Sequence, residues 1–105
     1  MTAYLIVTYD IADAEHYAQY NPGLNHVTAQ TIAKHGGELI VATNGGIQLN
    51  GHGVEMKVVI EFPNRDAALA WHDDPEYAEA KAIRMASTKN VNTMIVDKFV
   101  LPNAS

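Results

Sequence analysis

The stretch from Glu55 to Phe62 constrains the fold more than any other part of the chain. Met56, Val58, Ile60 and Phe62 are apolar, whereas Glu55, Lys57 and Glu61 on the alternate positions are charged. Successive side chains of a strand point to opposite faces, so this alternation describes a strand with one face on a core. Val59 interrupts the charged face, which is therefore mixed. A sheet built around such a strand needs a second layer over its apolar side.

The rest of the chain supplies that layer and the neighbouring strands. Tyr4 to Asp10 is rich in β-branched and aromatic residues and reads as a strand, as do Glu38 to Thr43 and Thr93 to Val100. After the first strand, Tyr17, Tyr20, Leu24, Val27 and Thr31 recur at helical spacing, with Asp13 as N-cap and Gly36-Gly37 as stop. Asn21-Pro22-Gly23 predicts a kink, dividing this region into a short helix and a longer one ending near His35. Asn64 is placed to cap a helix through Ala67 to Trp71, and Asp73-Asp74-Pro75 ends it. A further helix is expected over Glu76 to Ala86, capped by Asp74 with Pro75 in its first position, followed by a turn from Ser87 to Asn92. Glycines break the Asn44–Val54 segment twice, which predicts a hairpin connection with Ile47-Gln48-Leu49 as a stub of strand. Those glycines match neither the Gly-x-Gly-x-x-Gly nor the lysine-bearing spacing of a phosphate loop.

The order is strand, helix, strand, strand, helix pair, strand. Two split crossovers on one four-stranded antiparallel sheet give the ferredoxin-like βαββαβ arrangement of the α+β class. Its helices cover one face only. Val59 and either Val7 or Ile6 fall on the other, so a homodimer through the sheet faces is expected, burying ~800 Å² per partner.

Composition narrows the function. With 105 residues, a single domain spanning 1–105 is expected, and 48% hydrophobic against 18% charged residues argues for a packed core over disorder. The absence of cysteine removes disulfides, thiolate nucleophiles and thiolate metal sites. Seven basic against twelve acidic side chains leave a net charge of −5, without the basic face that nucleic acid requires. The apolar runs are far below the ~20 residues that span a bilayer, and Met1-Thr2-Ala3 opens directly into a strand. A cytoplasmic protein without nucleic-acid or membrane partners is expected.

With the elements placed, a resemblance becomes visible. Val59-Ile60-Glu61-Phe62-Pro63, Ala67-Ala68, Ala70-Trp71, Pro75-Glu76-Tyr77, Lys81-Ala82 and Arg84 resemble the signature of the domain of unknown function family numbered thirteen-thirty. The Tyr17/Tyr20 pair and His35-Gly36-Gly37 are similar to its upstream pattern. The resemblance implies the dimeric α/β-barrel form of the ferredoxin-like fold. It also implies a superfamily that includes cofactor-free monooxygenases, muconolactone-type isomerases, polyketide cyclases and haem enzymes. The chain departs from the pattern at Asn50-Gly51-His52-Gly53, where relatives carry an acidic-Gly-acidic-Trp stretch.

Topology nominates the polar groups that meet. Asp10, His16, Tyr17, His52, Arg84 and Asn92 are expected at one end of the domain, with His35 and Asn64 at the other. A carboxylate or imidazole base (Asp10 or His52) and a guanidinium (Arg84) beside an apolar cleft suit proton transfer on a small carbonyl-bearing molecule. Tyr17, Tyr20 and His72 are the candidate substrate contacts. Each also has a plainer reading. Asp10 organises a turn, His52 is an idle loop residue, Arg84 pairs with Glu61, the tyrosines are core, and His72 caps a helix end. His35 would satisfy the last carbonyls of its helix.

No two histidines stand at ligand spacing, so no metal site is expected, and no residue is singled out to hold a haem or other cofactor. The leading expectation is a cofactor-free enzyme of isomerase, cyclase or lyase type acting on a small hydrophobic carbonyl-bearing metabolite. The alternatives are a non-catalytic small-molecule-binding module and a protein-interaction or assembly domain.

Overall fold

Every second residue of the first strand, β1 (Ala3–Ile11), is buried, from Ala3 through Leu5 and Val7 to Tyr9. The structure, a computed structural model, describes residues 1–102. β1 lies inside a four-stranded sheet of order β2-β3-β1-β4, with β2 spanning Glu38–Thr43, β3 Met56–Phe62 and β4 Thr88–Asp97. All three pairings are antiparallel. Non-consecutive strands lie side by side because helices cross between them, which is the ferredoxin-like topology expected from the element order. The sheet is open, with β2 and β4 as its edges.

Four helices interleave with the strands: α1 (Ala14–Tyr17), α2 (Asn25–Lys34), α3 (Arg65–His72) and α4 (Ala78–Ala86). Asp13 caps α1 by accepting from the His16 amide, and Asn64 caps α3 by accepting from the Ala67 amide at 2.8 Å. Asn21-Pro22-Gly23 separates α1 from α2 as the sequence predicts, and the Asn21–Pro22 peptide is cis. Gly36, at φ +74°, ends the α2 region in a conformation that costs glycine little. The core is the interface between these helices and the inner sheet face. Leu5, Ile60 and Phe62 meet Ile32, Ala68 and Trp71 there.

Three expectations need correction. The 44–55 connection contains no strand, so Ile47-Gln48-Leu49 is not a stub. The last strand begins at Thr88, immediately after Ser87 caps α4, and ends at Asp97; no turn occupies Ser87 to Asn92. Its polar early residues pair through their backbone, Thr88 with Ile11 and Lys89 with Asp10, while Asn90 sits at φ +55° beside a register shift. The α4 helix begins at Ala78, not Glu76, because Asp74 spends its side chain on a turn instead of a cap. One Asp74 oxygen accepts from the Glu76 amide, and the other from Lys34 Nζ at 2.9 Å and His35 Nε2 at 2.7 Å. The His35 ring therefore ties α2 to the α3–α4 turn, while its backbone amide, as C-cap of α2, donates to the Thr31 and Ile32 carbonyls.

The outer sheet face carries a continuous apolar row. Val41 opposes Val59, Val59 opposes Ile6, and Ile6 opposes Met94, so each of the four strands contributes one residue. The period-two alternation assigns Ile6 to this face and Val7 to the core. Tyr4 and Val96 form a neighbouring pair on the same face. Among the described residues, no helix is long and apolar enough to cross a membrane.

Candidate functional site

Between the inner sheet face and the helices lies a cleft of about 280 Å³. Val7 and Tyr9 from β1 and Met56, Val58 and Ile60 from β3 form its floor. The aromatic walls are Tyr17, Tyr20, Trp71 and Tyr77, and the exposed residues Asn21, Asn25, Ala29, Leu39 and Ala42 mark its mouth. Arg84 reaches the cleft from α4 and is only 4% exposed. Its burial follows from its spacing four residues after Ala80, which places both on the inward side of α4.

Arg84 is electrostatically unfinished. Its guanidinium carbon lies 5.5 Å from the centroid of the Tyr9 ring, a cation–π position. Its Nη1 is buried and has no hydrogen-bond partner among the described residues. No carboxylate among them lies within ion-pair distance of it. The Glu61 pairing considered from the sequence does not occur. Glu61 opposes Tyr4 on the outer face, with the sheet between it and Arg84. Below the guanidinium, the Tyr9 and Tyr17 hydroxyls share a hydrogen bond of 2.7 Å. Thr28 Oγ1 donates to the Tyr20 hydroxyl at 3.4 Å, and Trp71 Nε1 donates to Thr31 Oγ1 at 2.9 Å. Trp71 and Tyr77 stack with centroids 4.3 Å apart.

Burial raises the pKa of two of these phenols. Desolvation raises Tyr9 well above the ordinary tyrosine range, and its bond to Tyr17 adds to this. Tyr20 is pushed up to about 12, again chiefly by burial. Both stay protonated even above the pH at which a free tyrosine ionises. Neither a carboxylate nor an imidazole is among the described residues that line the cleft. The site offers one positive charge, the Tyr20 O–H and the one O–H left free by the Tyr9–Tyr17 pair to whatever enters it.

The sequence candidates divide accordingly. Arg84, Tyr17 and Tyr20 line the cleft, whereas Asp10, His52 and His72 do not. Asp10 follows Tyr9 on the strand and so points to the opposite side. Its Oδ1 accepts from the Glu55 amide and its Oδ2 from Asn90 Nδ2, each at 2.9 Å, while Glu55 Oε1 accepts from the Ile11 amide. Those bonds, Asn90 first, lower the Asp10 carboxyl below its usual range and make it a poor proton acceptor. His52 is exposed in the 44–55 connection. The His72 ring lies 3.5 Å from Asp73 Oδ1, and its carbonyl accepts from Lys81 Nζ at the end of α3. The sequence candidates for the cleft did not include Tyr9, Thr28, Trp71 or Tyr77. The available signal was the alternation of β1, which puts Tyr9 on the same face as Val7.

The family model of a domain of unknown function, DUF1330, matches residues 2–99. The chain belongs to the DUF1330 family. Among solved structures, this DUF1330 protein is similar to a protein of unknown function from Rhodopseudomonas palustris, with a TM-score of 0.74 at 17% identity over 95% of this chain and 84% of that one. It is also similar to a dimeric ferredoxin-like protein of unknown function from Jannaschia sp. CCS1, with a TM-score of 0.73 at 10% identity over 93% and 100% of the two chains. A candidate antibiotic biosynthesis monooxygenase from Caulobacter crescentus CB15 has a TM-score of 0.67 at 15% identity over 94% and 91%. At these identities the likeness concerns the fold. No curated protein matches the DUF1330 chain by sequence.

Proposed function

We propose that this protein binds a small, largely apolar molecule through an anionic oxygen, without a cofactor, in the cleft between sheet and helices. The observation that carries this reading is Arg84, a buried cation whose Nη1 lacks an acceptor inside an aromatic cleft. A buried guanidinium without a counter-ion is costly, and an anionic ligand supplies the missing charge and acceptors. Arg84 is the anchor, with the Tyr20 hydroxyl and the one O–H that the Tyr9–Tyr17 pair leaves free as donors. A second reading, proton-transfer catalysis, rests on the hydrogen-bonded Tyr9–Tyr17 pair beside that cation. In it, the substrate enters as an enolate: Arg84 holds its oxygen, a phenol gives its proton to the carbon to leave the ketone, and solvent reprotonates the phenolate. Asp10 and His52 take no part, since a base would need to reach the reacting atom.

The same reading includes a homodimer formed through the outer sheet faces. The Val41–Val59–Ile6–Met94 row supports it, because Met94 and Val41 are 49% and 37% exposed on a face without helices. The Jannaschia neighbour is described as dimeric and shares this fold.

Titrating hexanoate and hexanamide against the fluorescence of Trp71, the single tryptophan, tests the anchor. Hexanoate is expected to bind at least about tenfold more tightly, since hydrogen bonds to charged groups contribute roughly 1.5–3 kcal/mol. The preference should vanish in Arg84→Met. Equal binding of acid and amide by the native protein would overturn the reading.

A further inference from the structure

We infer that the occupant of the cleft is a one-ring aromatic monocarboxylate. This rests on the anionic-ligand reading of the same cleft and adds the shape and charge of the ligand. Size comes first. The cleft, at about 280 Å³, lies just below the ~300–1,000 Å³ typical of small-molecule pockets, which leaves room for about one ring and a short side chain.

Charge comes next. Among the described residues that line the cleft, Arg84 is the one that carries a charge. A carboxylate carries one negative charge and matches a planar guanidinium through two parallel hydrogen bonds. A phosphate monoester brings a charge of roughly −1.5 to −2 and more acceptor oxygens than a single cation and a few phenols satisfy. The depth of the cation also sets the direction of entry. Arg84 is almost fully buried, while Asn21 and Asn25 at the mouth are exposed and already bond to one another at 3.2 Å. The acid therefore goes inward and the far edge of the ring meets the neutral amides.

The walls decide the body of the ligand. Tyr17 and Tyr20 are tilted by 52° at a centroid separation of 5.7 Å, and Tyr9 and Tyr17 by 55° at 6.0 Å. With Trp71 and Tyr77, five aromatic side chains surround the space. An aromatic guest makes edge-to-face contacts with such walls that a saturated ring of equal size does not. Aromatic pairs contribute roughly 0.5–1.5 kcal/mol beyond area burial, which is about 2- to 12-fold in affinity.

The test titrates phenylacetate, cyclohexylacetate and phenyl phosphate into the native protein, followed by Trp71 fluorescence and by calorimetry. Phenylacetate is expected to bind about 2- to 12-fold more tightly than cyclohexylacetate and more tightly than phenyl phosphate. Equal affinity for the two carboxylates overturns the aromatic class, and tighter binding of phenyl phosphate overturns the monocarboxylate; both leave the anionic site standing. Failure of phenylacetate to bind, while hexanoate is preferred over hexanamide, overturns this inference alone. Failure of all three probes together with hexanoate overturns the underlying reading. Two variants locate the probe. Arg84→Met should abolish saturable phenylacetate binding. If that variant does not fold, Ala29→Leu adds bulk at an exposed mouth position and should weaken phenylacetate several-fold. Unchanged affinity in Ala29→Leu would place the probe elsewhere and overturn the inference.

Discussion

A charge held out of water with an unpartnered nitrogen is a liability to the fold, and Arg84 is such a charge. An apolar side chain of similar length should relieve it. Arg84→Met is expected to stabilise the ligand-free protein by about 1 kcal/mol, raising Tm by roughly 4–8 °C while removing hexanoate binding. Thermal unfolding checks this, and a lower Tm would show that the guanidinium contributes more through packing over Tyr9 than it costs. Asp74 presents the opposite case. His35, then Lys34, then the Glu76 amide hold its carboxyl well below the usual carboxylate range. A depressed folded pKa gives stability that is present above the unfolded value near 3.9 and lost as pH falls toward the folded value. In Asp74→Asn that contribution disappears. Urea denaturation at pH 7, 5 and 3 should show a deficit against the native protein that is largest at pH 7 and 5 and shrinks at pH 3. A deficit independent of pH would contradict the ionic account.

At the level of elements, the α2–β2 connection is fitted most tightly. A Cβ added at Gly37 would stand 2.7 Å from Phe62 Cε1 and 2.9 Å from Ile32 Cγ2, both core side chains. Gly37→Ala is therefore expected to destabilise by about 1–3 kcal/mol, the range for forcing extra volume into a packed core. Chemical denaturation measures it, and a change within ~0.5 kcal/mol would mean that the ring of Phe62 yields freely. The cap of α3 offers a milder comparison. Asn64→Ala removes the bond to the Ala67 amide and should cost about 1 kcal/mol by the same measurement. The legible parts of these elements were those set by local chemistry. Caps at Asp13 and Asn64, the break at Asn21-Pro22-Gly23 and the alternation of β3 all act within a few residues. The start of β4 was not legible, because Thr88 and Lys89 enter the sheet through backbone bonds that their side chains do not advertise.

Over the whole molecule, helices occupy one side of the sheet and leave an apolar row on the other. A charge inserted into that row opposes the proposed pairing of two copies. Val59→Lys is expected to shift the assembly from dimer to monomer in native mass spectrometry, with the secondary structure unchanged by circular dichroism. A native protein that is already monomeric would remove the sheet-to-sheet dimer. Local pattern and spacing in the sequence were enough to determine the ferredoxin-like element order, the core face of β3 and that Ile6 and Val7 lie on opposite faces, but not which of the two is buried. They act over one strand or one helical turn, where covalent geometry dictates which way a side chain points. The meeting of Tyr9, Tyr17, Tyr20, Trp71, Tyr77 and Arg84 belongs to tertiary structure alone. These residues come from four separate regions of the chain, and only the antiparallel order of the sheet and the crossing of the helices bring them around one cleft. The same alternation that turns Tyr9 inward turns Asp10 away, so a carboxylate one residue from the site stands on the wrong side of the strand.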